Sequence, residues 1–313
     1  MLDKIKSVMI GHAIGDALGV PVEFASREEI SHSPVTDMEG FGTYPYPAGT
    51  WSDDTSMSLA ALDSLSSGVV NWDKIMDNFG KWLDDGDYTP SGEAFDIGRT
   101  CLNSIIRYFT KGTKATESGG TDERSNGNGS LMRIHPFSLM AAYNRKIHCD
   151  WESYNEQASS LTHAHERSKL ACKIYTLILH RLLDIPRKES VAFALGWADC
   201  RYVESPEHDF YNRLFSPDFD KLPISEIKSS GYVVDTLEAA IWCLMTTTSY
   251  KECVLTAVNL GDDTDTVAAI AGGLAGALYG YDNIPIEWRN TLIKIDYIEE
   301  LCEKTTAVWE KQI

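Results

Sequence analysis

Asp263-Thr264-Asp265-Thr266-Val267-Ala268-Ala269-Ile270-Ala271-Gly272-Gly273-Leu274-Ala275-Gly276-Ala277-Leu278-Tyr279-Gly280 is the stretch on which the reading of this chain turns. An acidic start runs directly into an apolar stretch at helical spacing, and Gly272, Gly276 and Gly280 recur in it every four residues. The same device stands near the N-terminus, where Gly11, Gly15 and Gly19 punctuate Gly11-His12-Ala13-Ile14-Gly15-Asp16-Ala17-Leu18-Gly19. Residues four apart share one face of an α-helix, so each row forms a smooth stripe that another backbone can approach closely. Glycine costs a helix roughly 0.5–1 kcal/mol relative to alanine, and three in one helix imply a compensating gain from packing. The rows are read as core-packing devices. Pairing inside a membrane is disfavoured, because the longest nearly uncharged stretch, residues 266–279, is too short to span a bilayer.

Outward from these two segments, apolar residues recur at helical spacing through 2–18, 57–65, 72–83, 95–109, 171–183, 191–197, 233–244, 267–278 and 298–309. Strand-like alternation is scarce, so the fold class expected is all-α. Between residues 20 and 49 the pattern breaks at Pro21, Pro34, Pro45 and Pro47, which predicts a long irregular segment able to act as a lid. The Gly/Ser/Thr-rich run 112–129 is the best place for a domain linker, yet it leads into a motif and reads better as a functional loop. No boundary convinces, and residues 1–313 are expected to form a single compact domain.

The chain carries 28 basic against 46 acidic residues, a formal charge of −18, which disfavours a nucleic-acid partner because phosphates must be neutralised by cations. Surplus carboxylate suits a protein that holds cations. The seven cysteines, Cys101, Cys149, Cys172, Cys200, Cys243, Cys253 and Cys302, are odd in number and contain no C-x-x-C, so a reduced, cytoplasmic setting is expected. Met1-Leu2-Asp3-Lys4-Ile5-Lys6 lacks the charged-then-apolar architecture of a signal peptide, and neither export nor membrane attachment is expected.

The chemistry concentrates at two helix starts. Gly49-Thr50-Trp51-Ser52-Asp53-Asp54-Thr55 precedes Met57, Leu59, Ala60 and Leu62, and capping alone would explain a Ser or Asp there. About two hundred residues later the grammar returns as Asn259-Leu260-Gly261-Asp262-Asp263-Thr264-Asp265-Thr266. A cap needs one side-chain oxygen, not three carboxylates in four residues. Like charges crowded at one helix start cost free energy unless a cation sits among them. Oxygen donors without His or Cys suit a hard ion such as Mg²⁺ or Mn²⁺, and two such starts could serve two ions sharing a site. The spacing of an EF-hand loop is absent.

Gly11 to Gly19, Val22-Glu23-Phe24, Trp51 to Thr55, Phe95-Asp96-Ile97-Gly98, Gly127-Asn128-Gly129-Ser130-Leu131-Met132-Arg133, Leu161-Thr162-His163, Gly231-Tyr232-Val233 and Asp263 to Thr266 stand in an order that resembles the motifs of the ADP-ribosylglycohydrolases. This is the family of the dinitrogenase reductase-activating glycohydrolase and the ADP-ribosylarginine hydrolases. The resemblance implies a compact all-helical bundle with two divalent ions, Mg²⁺ or Mn²⁺, in a central cleft. It implies metal ligands at Ser52, Asp53, Asp54, Asp263, Asp265 and Thr266, and catalytic roles for Glu23, on the entrance segment, and Asp96, facing the bond to be cut. It also implies a diphosphate- and ribose-receiving loop at Gly127, Asn128, Gly129 and Ser130, and an ADP-ribose pocket lined by His163 and Tyr232. The activity implied is removal of ADP-ribose from an arginine of a modified protein, with ADP-ribose as product.

Gly127-Asn128-Gly129 lets backbone N–H groups turn toward one point ahead of an apolar segment, a nest for phosphate oxygens. His163, two residues from His165, could equally be a core or capping histidine, and Tyr232 opens a helix whose core face includes Leu237, Ile241 and Leu244, so it could simply pack. Asp96 falls within an apolar helical pattern, where an unpartnered carboxylate is costly. One departure stands out: many relatives have Gly-Gly before the second acidic start, whereas Gly261 is followed here by Asp262, an extra carboxylate that could tune metal affinity or shape substrate entry. Three rival readings remain: an O-linked (serine) or small-molecule ADP-ribose substrate, a prenyl-diphosphate enzyme, and a non-catalytic ADP-ribose-binding protein. The second is disfavoured because Asp262-Asp263-Thr264-Asp265 is one residue short of D-D-x-x-D. The third is disfavoured because no presumed ligand is missing.

Overall fold

In a computed structural model, which describes residues 1–144 and 150–312, every regular element is a helix. In chain order they are α1 (Leu2–Gly19), α2 (Arg27–His32), α3 (Asp53–Leu65), α4 (Trp72–Asp85), α5 (Arg99–Lys111), α6 (His135–Tyr143), α7 (Trp151–Ser160), α8 (Glu166–Asp184), α9 (Lys188–Tyr202), α10 (Val233–Thr246), α11 (Tyr250–Val258), α12 (Thr264–Tyr279), α13 (Ile286–Thr291) and α14 (Ile295–Trp309). Among the described residues, β-pairing is confined to two isolated bridges, Gly120 with His163 and Gly127 with Tyr232. Cys149 lies outside the described residues.

Every periodic segment of the sequence lies in a helix, with one altered start. The pattern over 95–109 becomes helical only at Arg99, because Gly98 is the N-cap and Asp96 takes a positive φ of 53°. Asp96 is therefore a loop residue, not a helical one. Helices α2, α6, α7, α11 and α13, which the apolar periodicity did not mark, run six to ten residues, too few for a face to repeat convincingly. Helix α2 interrupts the segment expected to be irregular throughout. Ser26 and Glu29 form a reciprocal capping box at its start, a signal present in Ser26-Arg27-Glu28-Glu29.

The glycine rows do what their spacing suggests. A Cβ on Gly11 would lie 2.6 Å from the Gly272 carbonyl oxygen, one on Gly15 2.0 Å from that of Ala268, and one on Gly19 2.3 Å from the Cα of Asp265. As numbering rises in α1 it falls in α12, so the two helices run antiparallel with their backbones in contact. Gly276 belongs to the same seam, since a Cβ there would stand 1.9 Å from the Ser7 carbonyl oxygen, whereas Gly280 does not: with φ at +84° and open space around it, it ends α12 instead. Thr264 Oγ1 donates to the Gly19 carbonyl (2.8 Å) and Tyr250 Oη to that of Gly11 (2.7 Å), pinning both ends of the seam. Helices α10 and α11 pack on α12, α14 on α1, and α4 and α6 on α3, around one contiguous apolar core. No helix among the described residues is long and apolar enough to cross a membrane.

Gly15→Ala should cost about 3 kcal/mol or more, because its methyl group can be housed only by parting two backbones. Gly196→Ala, on α9 with nothing within 4 Å of the added atom, should instead stabilise by roughly 0.5–1 kcal/mol. Urea unfolding of both variants checks the pair, and a Gly15→Ala midpoint equal to the parent's would contradict the seam.

Candidate active site

Asp16 organises the first acidic start. It lies fully buried on α1, one residue past Gly15 of the seam, and its carboxylate accepts from the Ser52 backbone N–H (2.8 Å), the Thr55 N–H (3.0 Å) and the Thr55 hydroxyl (2.6 Å). It thus satisfies donors at the head of α3 that would otherwise be orphaned. This frees Asp53 and Asp54 from capping. Sequence reasoning passed over Asp16, although a carboxylate inside a glycine-striped apolar helix is itself a signal, since burial without partners is prohibitive.

The second start arrives from α12. Thr266 Oγ1 donates to Asp54 Oδ2 (3.2 Å), the Ser52 hydroxyl lies 3.3 Å from the same oxygen, and Asn128 Nδ2 donates to Asp263 Oδ2 (2.9 Å). Asp54 Oδ1, Asp265 Oδ2 and Glu23 Oε2 are buried and accept no hydrogen bond from the described residues. Oxygens of Glu23, Asp96 and Asp265 lie within 4.8 Å of one another. Burial, with neighbouring carboxylates, holds the pKa of Asp53, Asp54 and Asp265 well above the usual carboxylate range. For Glu23 burial, then Asp96 and Asp263, raise it to about 9. Orphaned oxygens, crowded negative charge and hydroxyl donors without His or Cys fit hard divalent cations, with Ser52, Asp53, Asp54, Asp263, Asp265 and Thr266 as the residues to hold them.

The cluster opens into a cleft of about 590 Å³ lined by Glu23, Asp53, Asp96, Asp263 and Thr266 and, further, by Arg99, Cys101, Arg124, Gly127, Asn128, Gly129 and His163. That volume lies within the roughly 300–1,000 Å³ common for small-molecule sites. Two straps hold its acidic lip. Tyr44, from the segment before α3, donates its hydroxyl to Asp96 Oδ1 (3.0 Å), and Phe95 packs on Tyr44 and Tyr46 with ring centroids 5.0 and 4.6 Å away. Phe24 N–H donates to the Asp262 carbonyl and Asp262 N–H to that of Ala25, both 2.8 Å, fixing Glu23 against the turn before α12. Phe24, Asp96 and Asp262 all sit at positive φ, each at a cost on the order of 1 kcal/mol or more. At Asp262 (φ 62°) this explains why glycine suits the position; its own side chain is exposed and has no partner among the described residues. Tyr44 was invisible to the sequence reading because nothing periodic marks it.

Not every residue singled out from the sequence faces the cleft. Asn128 spends its N–H on the Gly231 carbonyl (3.0 Å), so the expected nest is partial: within it, the Gly127, Gly129 and Ser130 N–H groups have no acceptor among the described residues. The Ser130 hydroxyl turns inward, accepting from Ser159 Oγ (2.9 Å) beside the Cys172 thiol. Tyr232 is the N-cap of α10, and its hydroxyl accepts from Arg167 (3.1 Å), a nearly buried guanidinium that also holds Glu207 and Glu123. His163 is buried yet lines the cleft, and burial followed by the nearby Arg133 charge lowers its pKa to about 3, so the ring is neutral.

An all-helical scaffold that brings two acidic helix starts onto one cleft matches a known class of hydrolase. The whole chain, residues 1–313, fits the ADP-ribosylglycohydrolase family model, and the protein belongs to that family, hydrolases acting on ADP-ribose glycosidic bonds. It is 34% identical to ADP-ribosylarginine hydrolase Tri1 of Serratia proteamaculans, over 97% of this chain and 79% of that one. It is 32% identical to the ADP-ribosyl-[dinitrogen reductase] glycohydrolase of Rhodospirillum rubrum, over 93% and 90%. A solved structure described as an ADP-ribosylglycohydrolase-related protein complex superposes with a TM-score of 0.82 at 28% identity, covering 98% of each chain.

The raised carboxyl groups set a pH dependence. Because the folded protein retains protons the unfolded chain has already released, stability in EDTA should fall as pH rises from about 4 toward 9. Asp54→Asn should relieve this and stabilise the chelated protein by roughly 1–3 kcal/mol at neutral pH. Thermal melts across pH check both; a variant less stable than the parent in EDTA would contradict the repulsion.

Proposed function

We propose that the protein hydrolyses the N-glycosidic bond between ADP-ribose and an arginine side chain of a modified protein, in a reaction that depends on two divalent ions, Mg²⁺ or Mn²⁺. The observation that carries this reading is Asp96: a carboxylate lining the cleft, aimed by Tyr44 and clustered with Glu23 and Asp265. A guanidinium is the leaving group best matched to such a carboxylate, through charge-assisted hydrogen bonds. The names of the Serratia and Rhodospirillum relatives support the linkage and a protein as its carrier.

In this reading the ADP-ribosyl group lies along the cleft, its diphosphate against Gly127–Gly129 and its distal ribose over the carboxylates. A divalent cation pair held by Ser52, Asp53, Asp54, Asp263, Asp265 and Thr266 would offset the negative charge of the cluster and would make a water more acidic. Water oxygen forms a bond to the anomeric carbon as the carbon–nitrogen bond breaks; the water gives up one proton to a neighbouring carboxylate or to solvent, and the departing guanidine nitrogen takes one up. Asp96 orients that nitrogen or delivers the proton, while Glu23, on the strapped entrance segment, guides the water or completes the cation shell. Positive charge gathering on the ribose is stabilised by the buried carboxylates. Asn128 keeps Asp263 in register through its side-chain amide.

A release assay with ADP-ribosyl-arginine and ADP-ribosyl-serine substrates, each with Mn²⁺ and with EDTA, tests the reading. The arginine substrate should turn over only with metal and should outpace the serine one; the reverse preference would overturn the linkage. Asp96→Asn should lower kcat/KM on the arginine substrate by about a hundredfold or more, and near-normal turnover would remove Asp96 from its role. Calorimetry offers a check independent of turnover: the parent should bind Mn²⁺, and a double Asp53→Ala, Asp265→Ala protein should bind little.

A further inference from the structure

Arg133 is a buried cation that the proposed reaction does not use. Its side chain is fully buried on the approach to α6, and none of the described ion pairs involves it. The guanidinium lies over Phe79 and Phe137, 5.1 and 6.0 Å from the ring centroids, and Nε and Nη1 make no hydrogen bond with the described residues. Nη2 donates to Thr162 Oγ1 (2.7 Å) and to the Ala158 carbonyl (3.2 Å). Burying an unpaired guanidinium is expensive, so a purely structural part would be served better by an apolar residue of similar volume.

Following the protons outward from Arg133 gives the group a task. The guanidinium can only donate, so Thr162 Oγ1 is the acceptor in that contact and its hydroxyl proton turns away from the positive charge. His163 Nδ1 lies 2.9 Å from the same oxygen and is the nitrogen acceptor available to that proton; the Cys101 thiol nearby is a weak one. A ring that accepts at Nδ1 and is neutral carries its proton on Nε2. Nε2 has no partner among the described residues and faces the glycine turn, 3.6 Å from where a Cβ on Gly127 would stand and 3.5 Å from one on Gly129. His163 itself is 1% exposed, so the orphaned N–H is held in place and opens only toward the cleft.

We propose that Arg133 and Thr162 are positioning residues that lock His163 in its Nε2–H tautomer, presenting a fixed hydrogen-bond donor to a diphosphate oxygen of the bound ADP-ribosyl group. This rests on the reading of the cleft as an ADP-ribose site and adds the device that makes one wall of it a donor. A diphosphate oxygen only accepts, so a histidine free to exchange tautomers would present a lone pair to it whenever the proton sat on Nδ1. Fixing the proton removes that loss without placing a full positive charge beside the carboxylate cluster, where it would compete with cations.

Long-range ¹H–¹⁵N spectra of the full-length protein at pH 7, with the His163 signals identified by their loss in His163→Gln, read the tautomer directly. The wild type should show Nε2 protonated and Nδ1 bare, and Thr162→Val should relax this toward the other tautomer while Thr162→Ser, which keeps the hydroxyl, restores it. By calorimetry, Thr162→Val should weaken ADP and ADP-ribose roughly tenfold, about one neutral hydrogen bond, and leave adenosine unchanged. A wild-type ring protonated at Nδ1 or at both nitrogens overturns the proposal whether or not Thr162→Val folds. So does a Thr162→Val protein that binds ADP-ribose as the parent does, or one that loses adenosine equally. Failure of the arginine-linkage assay, with these spectra and affinities as expected, would fall on the proposed reaction and not on this relay.

Discussion

Backbone contact between α1 and α12 is the constraint from which the rest of the molecule follows. Side chains on that seam would hold the helices the usual 8–10 Å apart; glycine at 11, 15, 272 and 276 removes them, and the carbonyl of one helix lies against the Cα atoms of the other. The approach brings Gly19 against Asp265 and sets Asp16, one residue past Gly15, under the head of α3. Two helix starts separated by about two hundred residues of chain thereby become neighbours, and their carboxylates point into a common space.

That arrangement is bought against stability. Buried acids with unpartnered oxygens and several residues at positive φ, including Phe24, Asp96 and Asp262, are all unfavourable in isolation. They persist because the surrounding structure over-determines them: Asp16 accepts the donors that Asp53 and Asp54 would otherwise have had to cap, Asn128 holds Asp263, and Tyr44 holds Asp96. The glycine seam and the apolar core under it supply the free energy that offsets the site. Strain gathers at the cleft, while the opposite end of α12 is ordinary packing.

How much of this could be read beforehand depended on the range of the interaction. Long helices were legible, since an apolar face repeated over three or more turns has no other explanation; α2, α6, α7, α11 and α13 were too short to repeat. The acidic starts were legible because one oxygen caps a helix and three carboxylates exceed that need. Asp96 was found as a residue but misplaced as a helical one, because φ at a single position leaves no periodic trace. Ser130 and Asn128 were identified through their motif, yet only the fold shows one hydroxyl turned to the core and one N–H already used.

By itself the sequence determined the all-helical class, the two glycine stripes, the acidic residues available for cations and the order of motifs that marks the family. All of these are patterns along the chain, set by backbone periodicity and by side-chain chemistry at fixed spacing. Tertiary structure alone decided that Asp16 caps a helix 36 residues away, that Tyr44 aims Asp96 across 52, and that Arg133 reaches His163 through Thr162. Such contacts depend on where distant segments meet in space, and a hydrogen bond formed there carries no spacing that the chain could display in advance.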